Sequence, residues 1–341
     1  MSSKPIDIIS DTRVQHRTST LNNHNYHYLY GEPVGGRFKA TVFLIHGWPD
    51  ISAGWRYQIS FLLDMGFRVV APDMMGYGGT DAPEVPPNDV SLYSYERAAH
   101  DIAELAKTIG AKQIVLGGHD WGGMVVYRAA QFHPELVTHL FAVCTPYMPP
   151  TERYLSIEDL TNKFLPEFGY QIQLASGEVE KHVKDERSIR QFLRSTYGGR
   201  TPSGEVGFEP RMGLNLQNYH SVGESKLMND KVLAYYVNEY SRHGIHGPPS
   251  VNWYRTRKVN WQRDRALLDK KTISIPTLFI QANYDNVLKP EMSKGMEKYF
   301  PKLTRGEVKA SHWALTQKPE EVNAIIAKWL DKQGLGIRSS L

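Results

Sequence analysis

Residues 117–124 read Gly-Gly-His-Asp-Trp-Gly-Gly-Met, one carboxylate set between two pairs of glycines. The apolar run Ile114-Val115-Leu116 comes before it, and Met124 to Ala130 continues with helical character. Small residues around one reactive position mark a strand–turn–helix elbow, which commonly presents a serine. Here the presented residue is Asp120. An Asp before a helix can be a plain N-cap. A cap needs no glycines on both sides, whereas a strained, closely packed turn does, and this favours a nucleophile.

A nucleophile at such an elbow works with a backbone oxyanion site, an acid and a histidine that follow it in that chain order. His46-Gly47-Trp48-Pro49 follows the apolar Leu44-Ile45 and offers the oxyanion loop. The expected donors are the backbone N–H groups of Trp48 and Trp121. Of 13 histidines, His312 has the right place: Ala310-Ser311-His312-Trp313 lies between the strand-like Glu307-Val308-Lys309 and the last helical pattern. The acid then falls at Asp285, just past the strand-like run that ends at Gln281; the loop after Val143, Thr145-Pro146-Tyr147, holds no carboxylate. His119, next along an extended segment, is expected to point away from Asp120. Asp73 and Gly76 read as shaping a neighbouring loop.

An aspartate at this position changes the reaction. A serine must lose its proton to the histidine before it attacks. A carboxyl group with an ordinary pKa of about 3.9 is already charged at neutral pH. Its attack on an ester or amide would give a reactive anhydride, but attack on a saturated carbon bearing a leaving group gives a stable alkyl ester. His312 is then available to activate the water that hydrolyses this ester, with the oxyanion site serving the second step. The leaving group stays open at this point. A halide needs N–H donors; an epoxide oxygen needs an acid, a task that a tyrosine hydroxyl with a pKa of about 10 can do.

These residues need strand ends to hold them. Short apolar runs at 41–45, 67–71, 113–116, 140–143 and 277–281 suit a parallel sheet buried on both faces. Helical periodicity lies between them. Tyr95, Ala98, Ala99, Ile102, Leu105, Ala106 and Ile109 form one stripe, with Ser94 as cap and Gly110 as stop; Val322, Ile325, Ile326, Trp329 and Leu330 form another, behind Pro319. Alternation of this kind argues for an open α/β sheet. It breaks down from about Pro146 to Arg265, where helical signals occur without strands: a capping box at Ser156–Asp159 and a stripe from Val232 to Tyr240, punctuated by Gly198-Gly199 and Gly247-Pro248-Pro249. The expected division is a first core part at 1–146, a mostly helical insert at 147–265 and a second core part at 266–341.

Composition excludes several classes. With 41% hydrophobic and 22% charged residues and a net charge of +4, the 341-residue chain is an ordinary globular one. No basic block suggests a nucleic-acid partner, and Tyr254-Arg255-Thr256-Arg257-Lys258 reads as a solvated face. One cysteine, Cys144, excludes an internal disulfide and a thiolate cluster for metal; it is expected to be a buried small hydrophobe. Met1-Ser2-Ser3-Lys4-Pro5 lacks the apolar core of a signal peptide, and no run of about 18 apolar residues suggests stable membrane insertion. A cytoplasmic location is expected, with Ser339-Ser340-Leu341 as a weak peroxisomal address.

Taken together, these motifs resemble the soluble epoxide hydrolases of the α/β-hydrolase fold. The resemblance runs through His46-Gly47-Trp48-Pro49, Asp73-Met74-Met75-Gly76-Tyr77-Gly78, Gly118-His119-Asp120-Trp121-Gly122-Gly123, Asp285 and Ser311-His312-Trp313. Within the insert, Phe168-Gly169-Tyr170-Gln171 and Asn252-Trp253-Tyr254-Arg255 are similar to the family's two lid-tyrosine motifs. It implies a helical cap whose Tyr170 and Tyr254 hold the oxygen of a small hydrophobic epoxide, a reaction with water to a vicinal diol, no metal or organic cofactor, and a monomer or homodimer. Haloalkane dehalogenases share the aspartate and often a following Trp, but commonly carry Asn where this chain has Trp48 and lack the paired tyrosines. A non-catalytic ligand-binding relative would need neither His312 nor Asp285.

Overall fold

The computed structural model describes residues 4–243 and 249–336. Met1-Ser2-Ser3, Gly247-Pro248 and Ser339-Ser340-Leu341 lie outside the described residues. Contacts divide the chain into two compact units, one of Met1–Met74, Tyr95–Pro150 and Ala266–Leu341, the other of Met75–Ser94 and Thr151–Arg265. The segment 75–94, expected within the core, groups with the insert.

The first unit is built on an eight-stranded sheet: β1 (Val14–Leu21), β2 (His24–Gly31), β3 (Thr41–Ile45), β4 (Arg68–Pro72), β5 (Ile114–His119) and β6 (Val137–Val143), joined after the two short strands β7 and β8 of the other unit by β9 (Thr277–Ala282) and β10 (Leu303–Val308). The order is β1-β2-β4-β3-β5-β6-β9-β10. From β4 to β10 the pairing is parallel, and β3, β4 and β5 are buried at every position. This is why they read as continuous apolar runs. β1 and β2 add an antiparallel hairpin at one edge, turned by Asn22 and Asn23 in the positive-φ region that asparagine tolerates. Helices α1 (Arg56–Asp64), α2 (Tyr95–Thr108) and α3 (Trp121–Phe132) belong to this unit, and the helices that follow β10 close it. α2 buries the stripe Tyr95, Ala98, Ala99, Ile102, Leu105 and Ala106 that its spacing predicts.

Register sets the site. Ile45 pairs with Gly118, Gly118 with Ala142, Val143 with Ile280, and Val308 with Ala282. The loops that leave β3, β5, β9 and β10 therefore emerge at the same carboxyl edge, where parallel sheets present ligands.

The second unit holds α4 (Ile157–Lys163), α5 (Tyr170–Ala175), α6 (Glu178–His182), α7 (Glu186–Thr196), α8 (Asp230–Ser241) and α9 (Arg257–Asp264). Ser156 caps α4 through Asp159 N–H at 3.1 Å, as the capping box predicts. Two expectations change here. The insert is not free of strands: β7 (Phe208–Glu209) pairs with β8 (Gly213–Leu214) around a tight turn, too short to leave a periodicity. The basic stretch at 254–258 is not a solvated face. Tyr254 and Thr256 are buried, and Arg255 is tied down by Glu180, Asn252 Oδ1 and the Ala175 carbonyl. Long basic side chains bury their stems when fixed acceptors receive the head. The short helix α10 (Ala314–Gln317) and the long α11 (Pro319–Lys332) end the first unit. Among the described residues no helix is long and apolar enough to cross a membrane.

Candidate active site

Asp120 stands between β5 and α3 at φ 54°, ψ −126°. A non-glycine residue enters the positive-φ region at a cost of about 1–3 kcal/mol, so surrounding contacts must impose it. They do: the Asp120 carbonyl accepts Gly123 N–H at 2.8 Å and Thr145 Oγ1–H at 2.8 Å. Beyond the N–H of its chain neighbour Trp121, the carboxylate makes no capping bond to α3, so it is not a plain N-cap. Instead Oδ1 accepts the backbone N–H of Trp48 at 2.7 Å, and the group also accepts that of Trp121. A Cβ on Gly47 would lie 2.3 Å from Asp120 Oδ1, and one on Gly122 would lie 2.1 Å from the Ile45 carbonyl oxygen. The loop at 46–49 and the elbow approach more closely than any side chain permits.

Asp285, buried past β9, accepts Val287 and Leu288 N–H on Oδ1 at 2.8 and 2.9 Å. Its Oδ2 accepts from His312 Nδ1 at 2.8 Å. The histidine proton thus sits on Nδ1, and Nε2 faces Asp120 Oδ2 at 3.6 Å. The loop carrying His312 is pinned on both sides: Tyr284 N–H donates to the Ala310 carbonyl, and Gln317 Oε1 accepts Ser311 N–H at 2.8 Å. Asp73 has the supporting place expected of it, accepting Ser52 N–H at 2.8 Å and a proton from His27 Nδ1 at 2.7 Å beside the 46–49 loop.

Electrostatics follow from burial and pairing. Burial raises the Asp120 carboxyl above its ordinary range, against the pull of His312 and the two N–H groups. Burial alone would lower His312; the charge of Asp285, its hydrogen bond and the charge of Asp120 outweigh this and raise it to about 9. Asp285 stays below the usual carboxylate range, because His312 and two N–H donors overcome its burial. The two neighbouring carboxyl groups thus favour the protonated form of the histidine.

Five of the seven residues singled out in the sequence meet here: Asp120, His312, Asp285, Trp48 and Trp121. The other two meet each other within the second unit. Tyr170 opens α5, Tyr254 lies in the turn Pro249–Arg255, and their rings are 5.6 Å apart at 76°. Both flanks of Tyr254 are anchored: Trp253 Nε1–H donates to the Met75 carbonyl at 2.9 Å, and Arg255 Nε donates to the Ala175 carbonyl at the end of α5 at 3.1 Å. Thr145 and Arg255 are supporting residues that no spacing in the sequence marks, because each acts on a backbone oxygen far along the chain.

Residues 40–319 match the family described as the alpha/beta hydrolase fold. The chain is 40% identical over 338 residues to the epoxide hydrolase srdG of Neurospora crassa, covering 94% of this chain and 97% of that protein. It is 35% identical over 300 residues to bifunctional epoxide hydrolase 2 of Rattus norvegicus, covering 85% of this chain and 51% of the relative, so it spans about half of that protein's length. A similar solved structure is epoxide hydrolase A from Mycobacterium thermoresistibile, with a TM-score of 0.75 at 26% identity over 93% of this chain and 98% of the other.

Proposed function

Since this chain belongs to the epoxide hydrolases of the α/β-hydrolase fold, we propose that it opens an epoxide to a vicinal diol through a covalent ester on Asp120. The observation that carries the reading is the division of the Asp120 carboxylate: one oxygen accepts the Trp48 N–H, and the other faces His312. Oδ2 attacks a ring carbon, the carbon–oxygen bond of the epoxide breaks, and the departing oxygen takes a proton from the Tyr170–Tyr254 pair. That assignment of the tyrosines is supported by their motifs and by their paired rings. In this reading residues 147–265 act as the cap that supplies them.

The second step uses the charges described above. While Asp120 is anionic it helps to hold the proton on His312; once esterified it is neutral, and the imidazole can pass that proton to the tyrosinate left by ring opening and then accept one from water. The hydroxide adds to the ester carbonyl carbon, and Trp48 and Trp121 N–H stabilise the negative charge that develops on Oδ1. Collapse expels the diol oxygen, which takes the proton from His312, and the proton left on Asp120 returns to the imidazole, restoring the starting state.

A single turnover in ¹⁸O-labelled water with enzyme in excess tests this scheme. The first diol should carry unlabelled oxygen taken from Asp120. Label in that first diol would mean direct attack by water and would remove Asp120 from the chemistry. Release of halide from 1-chlorobutane, without hydrolysis of styrene oxide, would instead make the chain a dehalogenase.

A further inference from the structure

Two side chains outside the triad converge on one atom of its histidine. His119 Nε2 lies 2.8 Å from the backbone carbonyl oxygen of His312, and Cys144 Sγ lies 3.5 Å from the same oxygen. A carbonyl only accepts, so the His119 proton is on Nε2 and its Nδ1 is bare. That Nδ1 is buried and has no hydrogen-bond partner among the described residues. A buried unsatisfied nitrogen is destabilising, a cost that an apolar residue at the end of β5 would avoid. The donor on the other side of the ring is what the histidine provides.

We propose that His119 is a positioning residue for His312: its Nε2–H, seconded by the Cys144 thiol, holds the His312 peptide so that Nδ1 meets Asp285 while Nε2 faces Asp120. Asp285 comes from the loop after β9, but His119 is the neighbour of Asp120 on β5, and it pairs with Val143, the neighbour of Cys144. The clamp thus refers the histidine to the strand that carries the nucleophile, which the bond to Asp285 alone does not do. The rings of His119 and His312 lie 4.9 Å apart, close enough for the clamp to fix the imidazole's approach. Both donors keep their protons in constant places. Burial, followed by the charge of His312, lowers His119 to about 3, so it stays neutral. Burial, with Asp285 and Asp120, pushes the Cys144 thiol up. The nitrogen and sulfur atoms of His119, Cys144 and His312 lie within 4.8 Å of one another, a spacing that would also suit a metal ion. Convergence on the carbonyl oxygen accounts for that spacing without one.

The inference rests on His312 acting in ester hydrolysis. Quenched-flow single turnovers of styrene oxide, with the intact protein weighed at each time, separate ester formation from ester hydrolysis. His119→Leu should slow hydrolysis about ten- to a hundredfold, the effect of displacing a reacting group by about 1 Å, and shift the pH profile of that step. His119→Gln offers an N–H at a similar reach and should restore hydrolysis to within about threefold of the parent. Cys144→Ala should slow it less than His119→Leu. Thermal unfolding of each variant separates the clamp from general damage. Hydrolysis at the parental rate in His119→Leu, or a Gln variant no faster than the Leu variant at equal unfolding temperature, would overturn the positioning role. Failure to trap any ester in His312→Gln would overturn the functional reading itself.

Discussion

Replacing Asp120 by Asn removes one negative charge at 3.6 Å from His312 Nε2 with almost no change in shape. At that separation two unit charges interact by about 1 kcal/mol in water and by about 4–5 kcal/mol at an effective dielectric of about 20. A buried but not dry site lies between these limits, so His312 should fall from about 9 by about one to three pH units. Asp285→Asn should lower it further, because Asp285 contributes both the larger charge effect and a hydrogen bond. Histidine labelled with ¹³C at Cε1 reports this directly in spectra recorded from about pH 5 to about pH 10, spanning the free and perturbed imidazole ranges. The resonance lost in His312→Gln identifies the signal. If that resonance titrates at the same pH in the parent and in Asp120→Asn, the charge of Asp120 does not hold the proton. Esterification could then not release it, and the coupling between the two chemical steps would be wrong.

The same rise makes stability depend on pH. A histidine raised from 6.5 to about 9 contributes about 3 kcal/mol, fully present below pH 6.5 and lost as the pH climbs to about 9. Urea midpoints should fall across that window in the parent and less in His312→Gln; equal slopes would refute it. If Tyr170 and Tyr254 supply the proposed acid for the departing oxygen, replacing both by Phe should slow ester formation by at least about a hundredfold in quenched flow. An unchanged rate would assign the proton to another group. Gly122→Ala puts a methyl 2.1 Å from the Ile45 carbonyl, where only backbone could yield, and should cost about 3 kcal/mol or more in urea unfolding. A loss below about 1 kcal/mol would show that the elbow and the 46–49 loop are less tightly joined than described.

Membership of the hydrolase family was legible in the sequence because its motifs depend on residue type and chain order. Asp in place of Ser at a glycine-flanked elbow, then an acid, then a histidine before the last helix, are local patterns that survive without coordinates. So are α2 and α11, whose 3.6-residue stripes are properties of a single element. What required the tertiary structure was every relation between distant segments. The β1–β2 hairpin escaped notice because its strands mix exposed and buried positions, and it becomes a sheet edge only by pairing with β4. Arg255 read as a solvated cation until α5 and α6 supplied its acceptors. His119 was expected to point away from Asp120, but no spacing could say that this turns it onto the carbonyl of His312, 193 residues further along the chain. The charge on that histidine is likewise a tertiary fact: two carboxylates from different strand ends outweigh its burial, and only the register of the parallel strands brings them to it.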